Sequence, residues 1–142
     1  MNTPDIFQVL HSGLAIPEIA SYALHTSMGV FFACSGYNKL TNPSRHKTFV
    51  DTLKADKIPF LRFNEWWVPG WEFIAGVSLA LGFAPAASAF VLLVICLVAC
   101  MAEGKSRVES YHPINGEDRV ADWLYLPEVL YSIILTSIVF GV

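Results

Sequence analysis

Apolar residues fill three long segments of this chain, 1–38, 63–104 and 120–142, and none of these contains a lysine or arginine. All nine basic residues fall between them, in the stretches Lys39 to Arg62 and Lys105 to Arg119. A helix that crosses a hydrocarbon core of roughly 30 Å needs about 20 mostly apolar residues. The middle segment is long enough for two crossings and each end segment for one. The pattern therefore predicts an all-α, four-transmembrane-helix bundle in a single domain. Both basic stretches then share one side, which the positive-inside rule makes cytoplasmic. A bacterial-type inner membrane with both termini on the outer, periplasmic side follows.

The spans are predicted at about 17–37, 68–84, 86–103 and 123–142. Residues 4–12 form a short amphipathic piece suited to the outer interface. Between the first two spans, Asn42 followed by Pro43 is a helix start signal. Phe49, Val50 and Leu53 then share one face, and Pro59 supplies a stop. This predicts an amphipathic helix at about 43–57, lying on the inner leaflet near anionic headgroups. In the second span, Gly76 with Ala80 and Ser78 with Gly82 are small pairs at helical spacing that let a neighbouring helix approach. Pro85 leaves room only for a tight outer turn. The 104–122 stretch reads as a polar loop, and Pro127 as a kink in the first turns of the fourth span. Trp66, Trp67, Trp71 and Trp123 mark the cytoplasmic boundary, as an aromatic belt does.

Composition agrees with a membrane class: 54% of the 142 residues are hydrophobic and 15% are charged. The basic residues are mixed with Asp51, Asp56, Glu109, Glu117 and Asp118, so no single-sign patch for nucleic acid forms. The N-terminal sequence has no basic n-region and no small-residue cleavage site, so no signal peptide is read. Cys34, Cys96 and Cys100 all fall within predicted spans, an odd count that describes no disulfide framework.

The succession His25-T-S-M-Gly29, then Ser35-Gly36-Y-N-Lys39, then Trp71-Glu72-F-I-A-Gly76 and a Gly82-F-A-P turn resembles the DoxX family of small four-helix membrane proteins. The resemblance covers about residues 24–100. Many members carry an arginine where this chain has His25. The resemblance implies a membrane subunit that serves a redox complex, with quinone as a candidate ligand.

Ionisable residues inside a span cost roughly 2.5–3.5 kcal/mol at its centre on insertion scales, so they mark partners or cavities. Glu72 and Glu128 stand out on that ground, as a proton-handling or headgroup-binding pair, or as interfacial groups that pin helices. Glu72 is placed in the first turn of the second span, with Lys39, His25 or Tyr37 as partners. His25 is a hydrogen-bond donor to a ligand, or an interhelical tie. Haem is argued against, because His11, His46 and His112 lie outside the spans and no second axial histidine is available. The Cys96 and Cys100 pair lacks the C-x-x-C spacing of thiol oxidation and any zinc-type spacing, so apolar filling is the simpler role and no metal is expected. Trp71, with Trp66 and Trp67, flanks a ligand entrance or anchors the belt. The candidate ligand-binding set is His25, Lys39, Trp71, Glu72 and Glu128.

Two functions follow. One is a membrane subunit that supports a redox or other membrane complex and holds a quinone or lipid-like ligand between its helices. The other is a structural subunit that packs against larger membrane partners, or against itself, and touches only lipid. A small transporter is disfavoured, since no polar stripe or inverted repeat appears.

Overall fold

The computed structural model describes residues 16–110, 120, 123–124 and 126–141. These form five helices: α1 (Ile16–Thr41), α2 (Pro43–Ala55), α3 (Leu61–Ala80), α4 (Pro85–Ser110) and α5 (Pro127–Phe140). Val120, Trp123 and Leu124 are helical as well, and no strand occurs among the described residues. The amphipathic piece expected at 4–12 and residues 111–119 of the expected second loop lie outside the described residues.

Local chemistry sets most of the ends. Asn42 caps α2, its side-chain oxygen accepting from the Ser44 and Arg45 amides, with Pro43 in the first turn where its missing N–H costs nothing. The helix stops at Ala55 rather than at Pro59, because Lys57 turns left-handed at φ 53. The turn between α3 and α4 uses Gly82 at φ 70, the conformation a glycine adopts without a Cβ clash. Ser78 closes this turn by donating to the Phe83 carbonyl at 2.7 Å, and Ser88 donates to Ser78 at 2.9 Å. The Ser78 and Gly82 pair is thus turn chemistry and not a helix-contact face.

Three boundaries differ from the sequence expectation. α3 begins at Leu61, so Trp66, Trp67 and Pro69 lie within it. Pro127 begins α5 instead of kinking the first turns of a span that starts at 123. The interior proline is Pro69, which removes the donor that would reach the Glu65 carbonyl. α4 continues past 103 to Ser110, through Gly104. A Cβ on Gly104 would meet the Trp123 ring at 2.8 Å, so the glycine makes room for that indole.

The tightest contact is between α1 and α3, which run antiparallel. A Cβ on Gly29 would meet the Ala80 backbone, one on Gly76 the Ala33 backbone, and one on Gly36 the Phe73 amide nitrogen at 2.6 Å. Backbone therefore lies on backbone along this pair. α4 and α5 form a second antiparallel pair, and all four long helices contribute to one core. Met28, Phe32, Ala75, Leu79, Leu92, Cys96 and Leu135 are all buried there. The Tyr131 ring bridges the two pairs, 4.8 Å from Phe31 and 5.7 Å from Phe32 between centroids. α2 buries no residue and crosses outside the bundle.

Only α4 among the described helices has an 18-residue window, Pro85–Ala102, apolar enough by length and composition to cross a membrane. α1 and α3 are 26 and 20 residues long but more polar, through His25, Thr26 and Ser27 in one and Arg62, Asn64, Glu65 and Glu72 in the other. α5 is apolar but has 14 residues, about 21 Å of helix.

The glycine contacts predict opposite outcomes at two positions. Gly29→Ala pushes α1 from α3 and should lower stability by about 1–3 kcal/mol. Nothing lies within 4 Å of a Cβ on Gly70, so Gly70→Ala should raise stability by up to about 1 kcal/mol. Unfolding in mixed micelles, titrated with a denaturing detergent, measures both.

Candidate functional site

The register of α1 on α3 brings the last turn of α1 against the middle of α3. Lys39 Nζ donates to Glu72 Oε2 at 2.6 Å. The Glu72 side chain is 4% exposed and that of Lys39 28%, so the carboxylate is the buried member. Glu72 stands about three turns inside α3, not in its first turn. The helix N-terminus is then too remote to help the charge, which among the described residues falls to Lys39.

α2 is fastened over this pair. The Lys39 ammonium lies 5.3 Å from the centre of the Phe49 ring, within cation–π range. His46 Nδ1 is 3.0 Å from the Lys39 carbonyl oxygen, a contact in which the nitrogen must donate because a carbonyl only accepts. The His46 ring also packs on Trp66, 4.6 Å between centroids.

A second ion pair joins the other two helices. Arg107 Nη1 on α4 donates to Glu128 Oε1 on α5 at 3.0 Å. Glu128 occupies the first turn of α5, where the helix N-terminus favours an anion.

Between α2, α3 and α4 lies a groove of about 850 Å³, within the range of ligand sites. Trp67, Val68 and Trp71 of α3 form one wall, and Phe90, Val91, Val94, Ile95 and Val98 of α4 the other. Lys39, Arg45, Arg107 and Glu128 line it too. These four come from helix ends on one side of the bundle, so the groove is apolar along its walls and, Asp56 apart, its charge gathers at one end. α2 supplies a single face to it: Arg45, Thr48, Phe49, Thr52, Leu53 and Asp56 recur at helical spacing.

Of the residues singled out from sequence, Lys39, Trp71 and Glu128 line this one groove. Glu72 does not; it sits behind Lys39 and holds the ammonium. His25 is half-buried, lines no part of the groove and pairs with neither carboxylate. Tyr37 packs on Phe73, 6.1 Å between centroids, rather than on Glu72. Cys34 is exposed while Cys96 is buried, and no group of three possible metal ligands comes together among the described residues. Arg45 and Arg107 were not singled out. The helical spacing of Arg45 with Thr48, Phe49 and Thr52 carried a signal, whereas nothing local distinguishes Arg107.

Fold and site together define a small all-helical protein with an amphipathic groove between its helices. Residues 22–103 match the DoxX family model, and the chain belongs to the DoxX family. No curated protein matches the chain, and no solved structure does. The matched region includes Lys39, Glu72 and both long walls of the groove, while Arg107 and Glu128 lie beyond it.

The ion pair yields an ordered series of variants. Lys39→Met leaves the buried Glu72 carboxylate uncompensated and should cost roughly 2–4 kcal/mol, the lower figures reflecting the partial exposure of Lys39. Glu72→Gln keeps an acceptor for Lys39 and should cost about 1 kcal/mol. Lys39→Met combined with Glu72→Leu should recover most of the loss. A double-mutant cycle from the same unfolding assay checks this; additive costs would show that the two residues act independently.

Proposed function

We propose that this DoxX protein is a four-span inner-membrane subunit whose groove holds a lipid-like amphiphile, a quinone or a lipid, in support of a membrane redox complex. The observation that carries this reading is the groove itself, with an apolar wall of Trp71, Phe90, Val94 and Val98 ending at Lys39, Arg107 and Glu128. An apolar slot with a few convergent polar groups is what an amphiphile requires.

The membrane setting has its own support. The apolar window of α4 is only 22% buried within the protein, and Phe90, Leu97, Val98 and Met101 are exposed along it. Water does not tolerate an apolar surface of that extent on a monomer, whereas lipid does. In this reading α1, α3 and α5 cross with α4, and polar faces such as Glu72 turn into the bundle. The described basic residues lie at the Lys39 end of the helices, which becomes the cytoplasmic side. α2 then lies along the inner leaflet, and Lys39, Trp71 and Glu128 are ligand-contacting residues with Glu72 as the support of Lys39.

The structural-subunit reading draws on one observation: Glu72 is a closed ion pair that does not reach the groove, as a helix-pinning carboxylate would be.

Two measurements test the proposal. With the native cysteines replaced, a cysteine at Lys57 should label only from the cytoplasmic side and one at Ala84 only from outside; labelling of both from one side ends the topology. Val94→Trp fills the groove from an exposed wall position and should abolish retention of co-purifying quinone or lipid while folding stays intact. Unchanged retention favours the structural subunit.

A further inference from the structure

Among the described residues, the charges at the end of the groove are not all matched. Glu72 is matched by Lys39, and Glu128 by Arg107. Arg45, on the groove face of α2, has no carboxylate within ion-pair distance among the described residues. Asp56 also lines the groove but stands eleven residues further along α2, about 16 Å by helical rise. Lys39 spends one of its three donors on Glu72, and the others meet no acceptor among the described residues. The capacity left over at this end is cationic.

The apolar wall carries a length. It runs along α4 from Phe90 to Ala102, about 18 Å by helical rise. One leaflet of a bilayer with a core of roughly 30 Å is about 15 Å deep. Phe90, Val94 and Val98 recur one turn apart and are all exposed, so the slot is open sideways to whatever surrounds the protein. A chain entering there reaches the depth of one leaflet, with its head at the level of α2.

We propose, building on the groove as an amphiphile site, that its occupant is an anionic phospholipid of the inner leaflet, with its acyl chain along the Phe90, Val94 and Val98 face and its phosphate between Arg45 and Lys39. A neutral quinone head leaves Arg45 unmatched, and a long isoprenoid tail overruns a wall one leaflet deep. A phosphate matches the leftover charge and accepts from both side chains. Entry is lateral, since the lipid already lies in the leaflet that α2 borders. Glu72 is a positioning residue in this arrangement, keeping the Lys39 ammonium at the head of the slot.

The full chain in a neutral maltoside micelle is titrated with dioleoylphosphatidylglycerol or dioleoylphosphatidylcholine, and bound lipid is counted by native mass spectrometry at low salt. The wild type should retain one phosphatidylglycerol in preference to phosphatidylcholine. Arg45→Gln, on an exposed face, should fold normally and lose about fivefold of that preference, the weight of one interfacial cation. Val94→Trp should lose both lipids. Equal retention of the two lipids by the wild type, or an undiminished preference in Arg45→Gln, overturns the headgroup assignment while the groove stands. A neutral quinone that displaces phosphatidylglycerol at equal concentration overturns it as well. Retention that Val94→Trp leaves untouched removes the groove as the site, and the assignment with it.

Discussion

The contact of α1 on α3, backbone against backbone, governs this molecule. Gly29, Gly36 and Gly76 have no room for a Cβ, so the two helices meet in one register only. That register decides which polar residues become neighbours. Lys39 arrives at Glu72, ten residues beyond Gly29 on one helix and four before Gly76 on the other. Slipping the helices by a turn would bury the carboxylate without its cation, which the protein interior penalises heavily. Packing of small residues and pairing of charge thus select the same arrangement.

The two ion pairs differ in kind. The pair of Lys39 with Glu72 is set within the bundle and anchors α2, because the same lysine offers its charge to Phe49 and its carbonyl to His46. The pair of Arg107 with Glu128 is more exposed and ties α4 to the start of α5, where the helix end shares the work of holding the anion. Between them α3 and α4 pack closely near the Gly82 turn, where Leu79 and Ala89 are fully buried. Toward the other end they leave the groove, floored by one face of α2. An amphipathic helix with no buried residue is well suited to that place, since it can cover a slot without being part of the core.

Much of the helix inventory was legible in the chain. The caps at Asn42 and Pro43, the turn at Gly82 and the small pair Gly76 with Ala80 are local signals, and each sits in the structure where its chemistry requires. Pro69 falls at the start of the span expected at 68–84 but is interior to α3, while Pro127, expected to kink the first turns of the fourth span, begins α5. A proline restricts its own turn and the residue before it, but whether flanking turns form depends on what packs against them. Here Trp66 and Trp67 find His46 and Phe63 as ring partners, and α3 extends through them.

The sequence by itself determined that the chain is helical and apolar in long blocks, that its positive charge is confined to two stretches between those blocks, and that Glu72 and Gly76 stand at helical spacing. Those properties follow from residue type and from periodicity along one strand of chain. Only the tertiary structure decided that Lys39, Trp71 and Glu128 share a groove, that Glu72 stands behind Lys39 instead of lining it, and that His25 lies outside the groove lining. It also added Arg45 and Arg107, which no local pattern joins to the rest. The reason is geometric. Helical periodicity fixes which way a side chain faces on its own helix, whereas a site between helices depends on their relative rotation and slide, which close packing at Gly29, Gly36 and Gly76 sets across more than thirty residues of sequence separation.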